Sequence, residues 1–367
     1  MKFHCDKDVL LSAVNNVSKA TAPSSSMEIL KGIKLCAYDN LRLMSTNLEL
    51  SIACDMDAEI SEHGETVLDA RILFDILRKS EAGVIHFEVN EKDEAYIYTK
   101  NNKFHIMGMP ASEYPEINRI DGEHEISMPS VEFKQIVRDT VFAVAADESR
   151  PILTGVKFEI DNDSAKLVAI DGFRLAIRRH AIKGCGEQFD FILKGRILNE
   201  VMKVLNDDET PVVIKLSGNN AMFEFDNFCM ITPVMGGEYI SYSHFIPANN
   251  PIRVKVDRRM FTQTVERAAI IINYDDTRLP VILKVEGGAL HVDCYSKMGN
   301  FHEELAVFHE GGNLEIGLGI KFLLDTIKAV EDDELVMEFN DEKSPCVVIP
   351  SEGDQYLYLV LPRQIKR

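Results

Sequence analysis

The 367-residue sequence lacks the features that mark several large classes of protein. No apolar run approaches the roughly 18 to 20 residues that a membrane-spanning helix needs. The amino terminus carries Asp6, Lys7 and Asp8 ahead of a short apolar stretch, a pattern unlike a signal peptide. The seven cysteines are scattered and include no CxxC pair. This usage favours reduced thiols in a cytoplasmic protein over a disulfide framework or a zinc site.

Motifs typical of enzymes are also missing. The His-Glu pairs at 124, 302 and 309 lack the second histidine of HExxH, because the fifth position is Met128, Ala306 or Asn313. There is no phosphate-binding GxxxxGK[ST] loop and no GxSxG elbow. The segment 317–322 has two of the three glycines of a dinucleotide-binding loop and opens a predicted helix instead. The sequence therefore predicts no catalytic residue, no metal and no cofactor.

What the sequence does contain is one helical pattern that occurs three times at a spacing of 125 residues. The copies are RILFDILRK from Arg71, RILNEVMKVL from Arg196 and KFLLDTIKAV from Lys321. A repeat of this length is too long for a solenoid and matches the usual size of a domain. Turn-rich joints near 120–125 and 247–251 then predict three repeated domains, at 1–122, 123–248 and 249–367.

Each third reads as two helices and about eight strands. Alternating segments such as 29–35, 152–160 and 280–285 predict strands with one buried face. The expected architecture is α+β, with helices on one face of antiparallel sheets. Since edge strands are normally covered or paired, we expect strands of neighbouring domains to pair into a continuous curved sheet.

Basic residues occupy the first and eighth columns of all three helices. These columns are seven residues apart, which is close to two helical turns, so both lie on one face of the helix. These six residues are Arg71, Arg78, Arg196, Lys203, Lys321 and Lys328. The acidic fifth column can pair with both. One interpretation is an ordinary solvated face with ion pairs. The other is a face that all three domains turn toward one anionic partner, and the threefold repetition favours it.

The whole chain nevertheless carries a net charge of −19. Proteins that bind nucleic acid by neutralising phosphates are usually basic over the binding surface. An acidic protein with three locally basic helices indicates loose contact with DNA that does not depend on base sequence, because no base-reading motif is visible.

The chain resembles the bacterial DNA polymerase III beta subunits, the sliding clamps, over essentially its full length. The matching segments are MKF at the amino terminus, ILKG and ILTG, AIDGFRLA at 169–176, and YLVLPR at 358–363. The resemblance implies a head-to-tail homodimer that forms a ring, with helices lining the hole and sheet outside. It implies a processivity factor that encircles duplex DNA, tethers the replicative polymerase and needs a separate clamp loader.

The resemblance also implies a cleft for short apolar motifs of partner proteins. Its residues in this chain are Arg150, Leu153, Ile170, Gly172, Phe173, Arg174, Leu175, Ile240, Phe245, Gly319, Phe322, Leu359, Val360, Leu361 and Pro362. Ile240 replaces a proline and Phe173 replaces a histidine that are common in the family. The carboxyl terminus continues past the motif as RQIKR.

For the dimer interface, the resemblance points to Phe104 and Ile106 in the first domain and to Ile270 and Ile271 in the third. A helix end buried inside its own domain is the alternative for the last two. Ser24 stands where some relatives have a DNA-contacting arginine, and this contact is expected to be weaker or shared with Lys19.

Two other functions remain open from the residues alone. One is an oligomeric protein-interaction scaffold that does not encircle DNA. The other is a hydrolase whose active-site residues are too dispersed to recognise. The expected partners of a clamp are double-stranded DNA, a second copy of the chain, the replicative polymerase, the clamp loader and other proteins with short apolar motifs, without a membrane.

Overall fold

A computed structural model describes residues 1–117, 119–182, 186–274 and 278–365. In these ranges the chain forms six α-helices, which are α1 (Lys7–Val17), α2 (Ala70–Lys79), α3 (Ser130–Val141), α4 (Gly195–Val204), α5 (Arg258–Asn273) and α6 (Ile320–Lys328). The prediction of two helices per third and an α+β fold is confirmed.

Most of the remaining chain forms antiparallel strands. The first third contains β1 (Lys2–Asp6), β2 (Gly32–Ala37), β3 (Leu41–Thr46), β4 (Ser51–Met56), β5 (Glu59–Glu62), β6 (Gly64–Asp69), β7 (Val84–Val89), β8 (Glu94–Tyr98) and β9 (Lys103–Met107). The second contains β10 (His124–Pro129), β11 (Gly155–Asp161), β12 (Ser164–Ile170), β13 (Arg174–Ala181), β14 (Phe189–Lys194), β15 (Pro211–Ser217), β16 (Asn220–Phe225) and β17 (Phe228–Pro233). The third contains β18 (Ile252–Asp257), β19 (Pro280–Glu286), β20 (Ala289–Ser296), β21 (Gly299–Ala306), β22 (Phe308–Glu310), β23 (Leu314–Gly319), β24 (Glu334–Phe339), β25 (Cys346–Ile349) and β26 (Tyr356–Val360).

The 125-residue repeat is visible in the strand register. In each third, the first residue of one strand pairs with the residue just before the repeated helix. The pairs are Gly32 with Asp69, Gly155 with Lys194, and Pro280 with Gly319. The helices α2, α4 and α6 begin one residue later, so the three copies share both sequence and backbone geometry.

Two strand predictions were partly wrong. Residues 29–31 and 152–154 were expected to be extended, but they belong to the 3₁₀ turns Glu28–Lys31 and Pro151–Thr154. In the first turn, Ile29 and Leu30 are both buried, although they are adjacent in sequence. A strand points adjacent side chains to opposite faces, whereas a turn can bury both in one cluster. The strands begin only at Gly32 and Gly155.

The described chain divides into two compact units. The first comprises 1–131 and 199–234, and it holds a five-stranded sheet in the order β5-β1-β7-β8-β9. It also holds an eight-stranded sheet, β10-β15-β16-β17-β4-β3-β2-β6. In the second sheet β17 pairs with β4, so strands of the first and second thirds share one sheet.

The second unit comprises 132–198 and 235–367. Its nine-stranded sheet has the order β14-β11-β12-β13-β26-β25-β24-β18-β22, and its four-stranded sheet has the order β21-β20-β19-β23. Here β13 pairs with β26, which joins strands of the second and third thirds. The expectation that neighbouring domains pair their edge strands is therefore confirmed in both units.

The apolar columns of the repeated helices are buried. Leu73, Leu198 and Leu323 occupy one column, and none of them has measurable exposure. In the first unit α1 packs on β3 and β4, and in the second α5 packs on β20 and β21. Burial of one helix face leaves the opposite face, which carries the basic columns, in contact with solvent.

Candidate functional site: basic helix faces and an aromatic cleft

All six basic residues of the repeated helices are exposed at the surface, as a solvated cationic face requires. The side chains of Arg78, Lys203 and Lys328 are 56%, 58% and 57% exposed. Charges held this far out of the core are not needed for packing. Their exposure agrees with the solvated charged face that the repeat predicted, although Arg78, Lys203 and Lys328 each pair with a carboxylate in this structure.

The acidic residue of the fifth column has a different ion-pair partner in the third copy. Asp75 pairs with Arg78 at 2.7 Å, and Glu200 pairs with Lys203 at 2.8 Å, both three residues apart on one helix. The predicted pair between the fifth and eighth columns is confirmed in α2 and α4. In α6 it is wrong, because Asp325 binds Arg174 of β13 at 2.6 Å.

Two residues near α2 were missed by the sequence analysis. A cavity of about 540 Å³ lies beside Arg71, and Phe74 and Lys31 also line it. The guanidinium of Arg78 lies over the Phe74 ring, 5.6 Å from its centroid. Phe74 stands in the repeated motif and Lys31 in the ILKG segment, but neither residue type predicts this position without the fold.

Lys19 is a structural residue rather than a free cation. Its ammonium donates to the Asn16 side chain at 2.6 Å and to the Lys203 carbonyl at 2.9 Å. Burial lowers the pKa of Lys19, and the neighbouring Lys203 charge acts in the same direction, while Glu200 opposes both. The ammonium satisfies a carbonyl near the end of α4, which reduces its availability for the DNA contact proposed for it.

The floor of the predicted cleft is a packed apolar cluster in the second unit. Leu153, Ile170, Leu175 and Leu359 belong to it and are 1% to 6% exposed. Ile240 packs against it. Tyr239 and Tyr242 pack there as well. The structure thus brings together residues that are far apart in sequence. These residues form part of the buried core and do not line an open pocket.

The accessible apolar surface beside this cluster comes from other predicted cleft residues. Phe173 is 59% exposed, Phe245 is 48% exposed and Leu361 is 37% exposed. Phe245 lies in a 3₁₀ turn and precedes Ile246, which packs on the cluster. These three side chains are accessible to a partner, whereas the cluster itself is buried.

The AIDGFRLA motif forms the turn between β12 and β13. One Asp171 carboxylate oxygen accepts the backbone N–H groups of Phe173 and Arg174, at 2.8 and 3.0 Å. Gly172 has a φ of +90°, a conformation that side-chain-bearing residues rarely adopt. The turn presents Phe173 outward and directs Arg174 into the protein, where it is 7% exposed.

The YLVLPR segment runs from the nine-stranded sheet toward β23. Val360 is buried and pairs with Arg174, and the Leu361 N–H donates to the Phe173 carbonyl at 2.9 Å. Pro362 forms an isolated bridge with Leu318, and the Arg363 N–H donates to the Gly317 carbonyl at 2.7 Å. Residues 361–363 therefore form one border of the aromatic surface. Of the RQIKR tail, the last two residues lie outside the described ranges.

Three further predicted cleft residues lie at its margins. Arg150 is exposed and precedes the 3₁₀ turn that carries Leu153. Phe322, on α6, is half-buried and stacks on Phe173 with 5.7 Å between ring centroids. Gly319 ends β23, directly before α6. The cleft residues thus come from β12, β13, β23, β26 and α6, from the turn between β12 and β13, and from the 3₁₀ turns at 151–154 and 243–245.

The residues proposed for the dimer interface lie on a strand at the edge of a sheet and at the end of a helix. Phe104 and Ile106 are half-buried on β9, which ends the five-stranded sheet. Ile270 is 57% exposed and Ile271 is half-buried in the last turn of α5. Exposure of Ile270 argues against the alternative in which this helix end is buried within its own domain.

The described cysteines are reduced and buried, and the described residues form no cluster typical of a metal site. The six cysteines outside 183–185 are free and buried, and burial raises the pKa of Cys5 and Cys54 to about 12. Cys185 lies outside the described residues. Among the described residues, no three His, Cys, Asp or Glu side chains are grouped to hold a metal ion. No described helix is long and apolar enough to cross a membrane.

Comparison with known families covers nearly the whole chain. The family models described as the N-terminal, central and C-terminal domains of the DNA polymerase III beta subunit match residues 1–118, 127–240 and 243–364. The Beta sliding clamps of Staphylococcus epidermidis and Staphylococcus aureus are both 28% identical to the chain over 375 residues. These alignments cover 99% of the chain and 99% of each relative.

Solved structures agree with this result. A putative DNA polymerase III beta subunit from Eubacterium rectale superimposes with a TM-score of 0.96 at 27% identity. The DNA polymerase sliding clamp of Bacillus subtilis gives 0.96 at 26% identity, and both alignments cover 100% of each chain. The fold and the matched domains therefore define a protein of three clamp-type domains. The chain belongs to the DNA polymerase III beta subunit family, which supports a DNA sliding clamp function.

Proposed function

We propose that this chain is a homodimeric DNA sliding clamp that encircles duplex DNA without base recognition. It holds the replicative polymerase and other DNA-acting proteins on the template, in the cytoplasm, and performs no chemistry itself. The observation that carries this proposal is the threefold repetition of exposed basic residues on helices that begin at equivalent positions of the strand register.

The charge distribution supports sliding rather than fixed binding. The net charge of −19 repels phosphate over most of the surface, while the six repeated cations offer weak and equivalent contacts. Contacts of this kind are made to the phosphate backbone and carry no sequence information. A ring held on DNA by topology needs no stronger attraction.

Closure of the ring is proposed to use sheet edges. Within the described residues, β9 ends the five-stranded sheet and β21 ends the four-stranded sheet. A free edge presents unpaired backbone N–H and C=O groups that favour pairing with another chain. Head-to-tail pairing of β9 with β21 of a second copy, near Phe104, Ile106, Ile270 and Ile271, would satisfy both edges and give a closed symmetric dimer.

Partner binding is proposed at the aromatic surface of the second unit. Phe173, Phe245 and Leu361 offer exposed apolar area above a packed cluster, which suits a short motif with one or two apolar side chains. The relatives' names, and the three matched domains, support a role in DNA replication. Tethering raises the local concentration of a dissociated polymerase at the template.

A threading experiment tests encirclement without a clamp loader. The protein is mixed with a linear duplex that carries biotin at both ends, and streptavidin is then added to block the ends. We expect protein to stay on the DNA through gel filtration in high salt, and to be released when a restriction enzyme cuts the duplex once. Addition of streptavidin before the protein is the control and should prevent retention.

The outcomes separate the candidate functions. Retention that disappears in high salt and does not depend on the end blocks would indicate ordinary phosphate binding, because such contacts weaken steeply with salt. Absence of retention under both orders of addition would favour the protein-interaction scaffold. Cleavage or modification of the DNA would indicate an enzyme.

A further inference from the structure

The acidic column of the three repeated helices has different partners in the third copy. Asp75 and Glu200 pair with a basic residue of their own helix. Asp325 occupies the same column but binds the Arg174 guanidinium, with 2.6 Å between Oδ2 and Nη1. Lys328, left without that partner, pairs with Glu266 of α5 at 3.1 Å.

Arg174 is held in a nearly closed environment. Its guanidinium carbon lies 4.9 Å from the centroid of the Phe322 ring and 5.3 Å from that of Phe142. Its Nε donates to Asp171 at 2.9 Å. With 7% of its side chain exposed, Arg174 depends on the two carboxylates, Asp171 and Asp325, to compensate its charge.

Asp325 joins this environment to the aromatic surface through α6. Phe322 lies three residues earlier on the same helix and stacks on the exposed Phe173 ring, with 13° between the ring planes. The guanidinium of Arg363 lies 5.4 Å from the centroid of the same Phe322 ring. The position of Phe322, and with it that of Phe173, is therefore tied to the Arg174–Asp325 pair.

We propose that Asp325 is a positioning residue of the partner-binding surface, although its column in the repeat places it on the basic helix face. Its carboxylate orients Arg174 between the rings and so fixes the Phe173–Phe322 stack that receives an apolar peptide side chain. This inference rests on the proposed function. It adds a residue that neither the helix repeat nor the apolar pattern of the cleft indicates.

The physical reason is the cost of an uncompensated buried charge. Removal of one carboxylate from a buried ion pair leaves the guanidinium to find other partners, and the structure around it rearranges. Because the guanidinium lies against both Phe322 and Phe142, a shift of Arg174 changes its contacts with both rings. The Phe173–Phe322 stack would then lose its fixed geometry. A partner would have to order the two rings on binding, and this ordering would lower its affinity.

The repeat provides a matched control for this test. The side chains of Asp325 and Glu200 are 31% and 30% exposed, and both accept from a basic residue. Asp325→Asn removes the charge and keeps the shape, Asp325→Glu keeps the charge, and Glu200→Gln makes the corresponding change on α4, a helix that carries none of the predicted cleft residues. The probe is a synthetic pentapeptide that ends in Leu-Phe, titrated by calorimetry into the full-length protein.

We expect Asp325→Asn to weaken peptide binding at least 10-fold, Asp325→Glu to recover most of the affinity, and Glu200→Gln to leave it unchanged. An unchanged affinity in Asp325→Asn would overturn the proposal, even if its melting temperature falls. That result would leave the pair as a structural link only.

A fluorescence measurement tests the positioning role separately. The sequence contains no tryptophan, so Phe173→Trp introduces a single reporter into the stack. In this background, Asp325→Asn should lower the fluorescence anisotropy and shift the emission to longer wavelength, while Glu200→Gln should not. If the unmodified protein binds no peptide, the proposed cleft is wrong, but the fluorescence change would still establish that Asp325 positions the rings. An unchanged emission would overturn the positioning role.

Discussion

Asp139 of α3 and Arg178 of β13 form a buried ion pair, with 3.3 Å between Oδ2 and Nε. Asp139 is 2% exposed, and its other carboxylate oxygen accepts from the Gln135 amide at 2.9 Å. Arg178 also pairs with the more exposed Glu331. Burial raises the pKa of Asp139 to about 6, although the Arg178 charge opposes the shift.

This pair predicts a specific pH dependence of stability. The folded protein binds the Asp139 proton more tightly than the unfolded chain does, so the contribution of Asp139 to stability is complete below about pH 4 and is lost as the pH rises through about 6. Relative to Asp139→Asn, the free energy of unfolding of the wild type should rise by about 2 kcal/mol between about pH 7.5 and pH 4.5. Urea unfolding at several pH values measures this difference, and parallel pH profiles of the two proteins would contradict it.

The glycines of the ILKG and ILTG segments predict a packing effect. A Cβ at Gly32 would lie 2.4 Å from Val67 Cγ1, and one at Gly155 would lie 2.5 Å from Ile192 Cγ2. Alanine at either position should therefore destabilise the fold by about 1–3 kcal/mol through overpacking. Gly236→Ala is the control, since nothing lies within 4 Å of its Cβ position. Thermal unfolding compares the three variants, and equal melting temperatures would show that the neighbours adjust freely.

Charge reversal on the repeated helices should impair retention on DNA. Arg71→Glu with Arg196→Glu and Lys321→Glu changes exposed residues, so we expect folding to be retained and threading onto end-blocked duplex to decrease. The control reverses the exposed turn residues Lys92, Lys100 and Lys297. Each triple variant changes the net charge by three times −2, from −19 to −25. Equal losses in both variants would attribute the effect to overall repulsion and remove the helices from the DNA-facing surface.

Substitution of the residues proposed for the dimer interface should change the mass of the protein in solution. Ile270→Ala with Ile271→Ala should yield monomers near the chain mass of 41.4 kDa, because the first of these residues is 57% exposed and the second half-buried at a helix end. Val9→Ala with Val84→Ala removes two residues that are each 53% exposed, and this control should remain dimeric. Sedimentation velocity distinguishes the species. A double Ile variant that sediments as a dimer would place the interface elsewhere.

Peptide binding should depend on the exposed border of the cleft rather than on its floor. Leu175 is 1% exposed within the packed cluster, so a charge there would disrupt folding. Leu361→Asp places the charge on a residue that is 37% exposed, and it should abolish micromolar binding of a peptide ending in Leu-Phe without lowering the melting temperature. Leu48→Asp, at a position that is 59% exposed, is the control. Calorimetric titration that gives wild-type affinity for Leu361→Asp would show that the peptide binds elsewhere.

Much of the local fold follows from the pattern of residues near one another in sequence. The 3.6-residue period of apolar positions in α2, α4 and α6 and the two-residue alternation in most strands are local properties, and both are confirmed. The 125-residue spacing predicted the repetition, and the basic columns predicted exposed charges. The 3₁₀ turns at 28–31 and 151–154 were missed because their conformation depends on the cluster into which their apolar side chains pack.

The candidate cleft could not be predicted from local sequence patterns alone. Its residues could be named only through the resemblance to a family, because apolar side chains such as Leu153 and Leu359 have the same pattern whether they line a pocket or fill a core. Their burial is decided by contacts between segments about 200 residues apart, which no local pattern encodes. The same holds for the exposed Phe173 and Leu361.

The sequence by itself determined the threefold repeat, the α+β class and the six solvated cations, since these depend on periodicity and on the types of residue. Only the tertiary structure decided the partners of individual charges. Asp75 and Glu200 pair within their own helices, as spacing predicts, whereas Asp325 binds Arg174, 151 residues away. A buried guanidinium between two aromatic rings requires a nearby carboxylate, and this requirement arises only once β13 and α6 are packed together.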